Sequence, residues 1–367
     1  MKSRAWIVFV ALAGLCWGTY VPFVAEGGKD LRSAYGSFLC VGVAYFLIAI
    51  LFPLGIMSAR KKWPAWTAPG IAFATLAGVA GAVGALCVIF STVEFKGPKI
   101  FVAPLIFALA PVINTIFSLF WHPDRGALAF GAPQEKPHPT LYLGIVLAAV
   151  GAGLVLFSKE YPHWQHAAAT QPASSESPWW IVFVALAGLC WGTYVPLIAQ
   201  GGKELKNSYG SFLCVGVAYF LIAILFPIGI MAARGHWPAW ATPDGTMNRG
   251  VSLATMAGVA GAVGALCVIF ATFEFKGPKI FVAPLIFALA PVINTIFSLY
   301  WHPERGPLAM GSPTEMPHWT LYVGILGAGL GAGLVLFSKE YPEWLHARKK
   351  QQAGDSAVPP QAPAPVT

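Results

Sequence analysis

"GLCWGTYVP" from Gly14 sets Trp17 and Tyr20 three residues apart on one helical face, and the copy from Gly188 sets Trp191 and Tyr194 in the same way. Tyr45 and Tyr219 fall at the centres of two further apolar runs, and a buried phenol needs a hydrogen-bond partner. Phe107, Pro111, Asn114 and Ser118 follow a single-face spacing, repeated as Phe287, Pro291, Asn294 and Ser298. Pro104, Pro111, Pro284 and Pro291 are expected to break their helices, because proline offers no N–H to the carbonyl four residues back. Broken helices are tolerated where the freed groups are buried in protein or line a cavity. Indoles, phenols and amides bind hydroxyl-rich neutral solutes, and the candidate substrate-binding set is Trp17, Tyr20, Tyr45, Asn114, Trp191, Tyr194, Tyr219 and Asn294. Two blander roles stand beside this one. The asparagines could tie helices together, at about 1 kcal/mol per hydrogen bond, and the tryptophans could serve packing.

Charged chemistry is excluded from the middle of these runs. All fifteen acidic residues lie outside the span cores, and all lysines and arginines lie in loops or at span ends. An ion path usually shows an ionisable group deep in the membrane. Glu94 and Lys96, with Glu274 and Lys276, sit at span ends beside the proline-bearing runs. They read either as interfacial charges that snorkel or as a gate or coupling pair working on alternate sides.

The elements that position these residues follow from composition. The chain has 367 residues, 57% hydrophobic and 10% charged, against about 25% charged in soluble domains. Ten apolar runs cover roughly residues 6–25, 35–57, 70–92, 99–121, 140–158, 180–199, 209–231, 250–272, 279–301 and 320–338. They lack the alternation of barrel strands, so the expected fold is an all-α polytopic membrane protein with ten transmembrane helices. The net charge of +8 belongs to short loops that set orientation, and no basic cluster interleaved with aromatics suggests nucleic acid. Six cysteines all lie in spans without CxxC spacing. No nucleotide loop, zinc motif or nucleophile–base signature is present, so neither an enzyme nor a metal or other cofactor is expected. The first run looks like a secretory signal, but its recurrence at Trp180 argues for a retained helix.

Residues 6–66 match 180–240, and the match resumes from Gly78 after six extra residues in the second copy around "TPDGTMNRG". The expected organisation is a first five-helix repeat over 1–162, a polar linker over 163–178, a second repeat over 179–346, and a disordered basic, Pro/Ala-rich tail over 347–367. Five spans per copy invert the second copy relative to the first, as in many secondary transporters. With the N-terminus inside, inside segments hold fifteen lysines and arginines and outside segments eight, which favours cytoplasmic N- and C-termini.

In this order, "LAGLCWGTYVP", "VAPLIFALAPVINTIFSLF" and "GIVLAAVGAGLVLF" resemble the EamA-type repeat of the drug/metabolite transporter superfamily. "WGTYVP" followed by "GSFLCVGVAYFLIAI" is similar to its glucose/rhamnose-type sugar permease branch. The resemblance implies secondary transport through a cavity between the halves, in a bacterial inner membrane. The expected function is alternating-access transport of a small neutral polar metabolite, sugar-like in the first instance. A proton-coupled exporter of amino acids or drugs using Glu94 or Glu274, and a non-transporting membrane scaffold, are the alternatives. The implied partners are a small-molecule substrate and the bilayer, not nucleic acid, and a homodimer is left open.

Overall fold

The computed structural model describes residues 5–127, 129–133, 138–166, 178–275, 279–306, 308–313 and 317–356. Apolar runs in lipid must satisfy their own backbone, and here they do so as helices. These are α1 (Ala5–Leu31), α2 (Ala34–Arg60), α3 (Ala68–Ile89), α4 (Lys99–Phe120), α5 (Pro139–His166), α6 (Trp179–Leu205), α7 (Ser208–Tyr219), α8 (Phe226–Arg234), α9 (Arg249–Ile269), α10 (Lys279–Tyr300) and α11 (Trp319–Ser356). Among the described residues there are isolated bridges but no β-strand, and eight spans are long and apolar enough to cross a membrane. The chain is an all-α polytopic membrane protein.

Local chemistry sets the helix ends. Ser33 Oγ accepts from the Gly36 amide at 3.0 Å, and Asn248 Oδ1 accepts from the Gly250 amide at 2.8 Å, satisfying donors that each helix start leaves free. Lys61 ends α2 in the left-handed conformation, and Gly235 does the same for α8.

Three π-helical turns depart from the sequence reading. Phe90–Glu94 follows α3, Phe220–Leu225 joins α7 to α8, and Phe270–Glu274 follows α9. The expected breaks at Pro104 and Pro111 are a correction. Both prolines are buried inside α4, which runs unbroken from Lys99 to Phe120. Likewise α10 runs unbroken through positions 284 and 291. Each proline removes one hydrogen bond, and neighbouring helices hold the rest of the helix in place. The tail is a second correction, since α11 continues to Ser356 through Ala, Arg, Lys and Gln, all good helix formers. Residues 167–177 of the expected linker and 357–367 of the tail lie outside the described residues.

The halves interlock. Helix α1 packs against α9 and α10, and α6 packs against α3 and α4. Helices α5 and α11 lie along each other through small residues, and a Cβ on Gly151 would stand 2.2 Å from the Ala328 backbone nitrogen. Such close approach supplies packing where lipid removes the hydrophobic drive between helices.

The bundle has two ends. At the first, Arg60 meets Glu274 and the Ala65 amide donates to the Leu205 carbonyl at 2.9 Å. We call it the Arg60 end. At the other, the Asp30 end, Arg249 Nε contacts Asp30 Oδ2 at 2.7 Å and Arg249 Nη2 contacts Asp30 Oδ1 at 3.0 Å. Arg249 also lies 3.6 Å from Glu26 and donates to the Pro303 carbonyl. The six extra residues thus end in a two-pronged clamp on α1. In the same insertion, hydrogen bonds from Thr242 and Thr246 hold the Asp244 carboxyl below the usual carboxylate range.

Arg249→Ala should lower stability by about 1–2 kcal/mol, allowing for partial solvent screening of charged hydrogen bonds. Thermal unfolding in detergent measures it, with Arg249→Lys recovering only part of the loss. An unchanged midpoint would show that the clamp does not hold this end.

Candidate functional site

The aromatic residues singled out by spacing converge. Trp17, Tyr20, Tyr45, Trp191, Tyr194 and Tyr219 line one cavity of about 80 Å³ where the halves meet. Phe107 and Phe287 complete the wall, with Gly81 and Gly261 on the facing helices. The two phenylalanines lay on the proline-bearing faces in the sequence. Only their packing beside Trp191 and Trp17 makes them site residues. Among the described residues no charged side chain lines the cavity.

Each indole is held by the other half. Trp17 Nε1 donates to the Gly261 carbonyl and Trp191 Nε1 to the Gly81 carbonyl, both at 3.3 Å. The indoles fit because positions 264 and 84 are glycine, where a Cβ would lie 2.4 Å from each Nε1. Tyr45 and Tyr219 stack face to face at 3.8 Å, with their planes 5° apart. Phe107 meets Phe287 edge-on at 5.9 Å. The Tyr45 and Tyr194 hydroxyls interact, whereas the buried Tyr20 hydroxyl has no hydrogen-bond partner among the described residues. The cavity therefore offers ring faces, phenol hydroxyls and, among the described residues, no counter-charge. One water needs about 10–15 Å³ on this scale, so the space suits a compact solute, and a hexose would require the wall to give.

Asn114 and Asn294 are buried but are not among the residues lining this cavity. Asn294 Nδ2 donates to the Lys99 carbonyl at 3.2 Å, tying α10 to the start of α4. The Oδ1 atoms of both asparagines are buried without a partner among the described residues. Pro104, Pro111 and Pro291 are buried inside their helices, and the side chain of Pro284 lies outside the described residues.

The span-end charges also occupy definite places. Glu274 Oε1 accepts from Arg60 Nη1 at 2.7 Å and from the Tyr209 hydroxyl at 2.6 Å. Glu94 and Lys96 line a second cavity of about 480 Å³ at the Asp30 end, together with Glu26, Lys29, Arg32 and Lys99. It shares no lining residue with the central cavity. Lys276 lies outside the described residues.

The two ends of the central cavity differ. Residues 20–24 of α1 are all buried, while in the matching stretch 194–198 of α6 only Pro196 is. At the Asp30 end, Phe23 packs edge-on against Phe297 and Trp301 at 5.2 and 5.3 Å. A Cβ on Gly28 would lie 2.3 Å from Val93, so the π-turn after α3 rests on α1. At the matching Gly202 the nearest atom is Ser208 Cα, 3.8 Å away, and Phe273 is not among its neighbours.

No family model matches the chain, and no curated protein matches it. A solved structure described as "Crystal structure of protein" is similar, with 17% identity and a TM-score of 0.50 over 91% of this chain and 99% of that one. At that identity the likeness speaks for the fold alone.

Two substitutions test this geometry. Gly264→Ala should displace the Trp17 indole at about 1–3 kcal/mol, a typical overpacking penalty. Loss of thermal stability with a shifted tryptophan emission is the expected result, and wild-type values for both would contradict the close approach. Tyr20→Phe removes a buried hydroxyl without a partner and should stabilise the protein by about 1 kcal/mol. A lower unfolding midpoint would mean that this hydroxyl is bonded.

Proposed function

We propose that this protein is a secondary transporter of the drug/metabolite transporter type, carrying a small, neutral, ring-shaped polar solute, sugar-like in character, by alternating access. In this reading ten helices cross the membrane as two inverted five-helix repeats, with both termini cytoplasmic, in a bacterial inner membrane. One observation carries the proposal. A single aromatic cavity is bounded by two copies of "WGTYVP", one sealed over and the other partly exposed. Identical segments in unlike states are what one half of an access cycle would produce.

Three further features support it. The contacts α1–α9 and α3–α6 are reciprocal, as an inverted pair requires. The cavity wall holds no charge, which suits an uncharged solute better than an ion. Its flat rings and hydroxyls suit a solute with an apolar face and a polar edge.

Ligand-dependent thermal stabilisation of the purified protein tests the reading, across D-glucose, L-rhamnose, neutral amino acids and cationic drugs. A ligand at a hundred times its dissociation constant adds about 2.7 kcal/mol when it binds only the folded state. The expected result is a shift with a sugar in the wild type and none in Tyr45→Ala/Tyr219→Ala. A shift confined to amino acids or cations would overturn the substrate class. No shift with any class, and no uptake into proteoliposomes, would overturn the transporter reading.

A further inference from the structure

The Glu274 cluster has a counterpart that is not made. By the repeat, Arg60 corresponds to Arg234, Tyr209 to Tyr35 and Glu274 to Glu94. At the Arg60 end all three join, with Glu274 Oε1 receiving the guanidinium and the phenol at 2.7 and 2.6 Å. At the Asp30 end Arg234 lies over the Tyr35 ring at 5.6 Å, while Glu94 is exposed and faces the second cavity. Among the described residues the Glu94 carboxylate makes no ion pair or hydrogen bond.

Each glutamate is the last residue of a π-turn. A π-turn is a local departure from regular helix and is frequent at functional sites. The two turns share the same backbone bond, Phe95 amide to Phe90 carbonyl and Phe275 amide to Phe270 carbonyl, both at 2.9 Å. The turns themselves are therefore equivalent, and what differs is where each is docked. The first rests on α1 at Gly28. The second stands off α6 at Gly202, and its glutamate is bonded to α2 and α7 instead.

We propose that Arg60–Glu274–Tyr209 is a latch that holds the π-turn away from α6 while the Arg60 end is open, and that Arg234–Glu94–Tyr35 is its partner for the opposite state. Arg60, Tyr209, Arg234 and Tyr35 are then positioning residues, acting on access and not on the solute. The inference rests on the alternating-access reading. One latch is made and the other unmade in any given state, so the two charge-assisted clusters offset each other around the cycle. A bond of this kind present in one state only shifts the equilibrium by its own strength.

Cysteine labelling tests the latch without knowing the solute. Val24→Cys and Ile198→Cys are introduced singly into a background whose six native cysteines are replaced by alanine, and their rates with N-ethylmaleimide are measured. In the parent, position 198 should label faster than position 24. Adding Glu274→Gln, or separately Arg60→Gln, should slow position 198 and speed position 24, so that the ratio of the two rates falls about tenfold, as expected for one lost charge-assisted hydrogen bond. The exchange Arg60→Glu with Glu274→Arg should restore the parent rates. Unchanged rates in Glu274→Gln would overturn the latch, as would a failure of the exchange to restore them. Both rates rising together would mean loosening of the fold and would equally overturn it. Failure of the latch with ligand-dependent stabilisation retained would leave the transporter reading standing. Equal parent rates at 24 and 198, with no stabilisation by any ligand, would remove that reading itself.

Discussion

Each half of this protein carries an indole that only the other half can hold. Trp17 is bonded to the Gly261 carbonyl, and Trp191 to the Gly81 carbonyl. The contact needs glycine at 264 and 84, because any side chain there would occupy the indole's place. It brings α1 against α9 and α6 against α3, and so puts the cavity on the seam between the halves. Lipid gives helices little reason to associate, so close small-residue contact and hydrogen bonds must supply it. The same two bonds that assemble the halves also line the site. A cavity built on such a seam changes shape whenever the halves move relative to each other.

The halves are nearly the same in sequence, yet the structure is not symmetric. A few substitutions account for the bias. Phe23 fills the cluster with Phe297 and Trp301, where its counterpart Leu197 offers no ring to Phe117 and Trp121. Glu26 gathers Lys29, Lys99 and Arg249 around α1, where its counterpart Gln200 bonds Glu204 on its own helix. Arg249 comes from the insertion and clamps Asp30. These differences all strengthen the seal at the Asp30 end. They are small in number and partly solvent-exposed, so they tilt a balance without fixing it.

Much of this was legible in the sequence, for physical reasons that can be named. Apolar runs of helical length can only be helices in lipid, so the fold class followed from composition. Central tryptophans and tyrosines are poor interface anchors, and the six chosen on such grounds meet in one cavity. Asn114 and Asn294 were chosen for polarity near proline. Asn294 instead serves the contact between α10 and α4, a role that spacing alone cannot separate from cavity lining. The prolines misled because a lost hydrogen bond need not end a helix that its neighbours hold. The clearest limit is "YFLIAIL". From Tyr45 it is regular α-helix, and after Tyr219 the same residues form a π-turn. Propensity cannot distinguish two copies of one segment, so the difference comes from packing, and packing is not written locally.

Burial explains why the described lining of the site carries no charge. A carboxylate in this cavity would need a partner there, since burying it alone carries a heavy desolvation penalty. In the proposed alternating-access cycle that partner would have to serve both states, and the geometry around the two tyrosines differs between the ends. Tyr45 reaches Tyr194, while Tyr20 is left without a bond. Aromatic rings avoid this difficulty, because a ring face needs no fixed partner and a phenol can change partners at small cost. The charges are instead at the span ends, where water screens whichever set is unpaired. Glu274 can be bonded while Glu94 lies in open water, and exchanging those roles would require no buried charge to lose its partner. In the proposed transport cycle, an uncharged aromatic centre with charged, solvated ends would keep the two states close in free energy, and that closeness would let a weakly bound neutral solute decide between them.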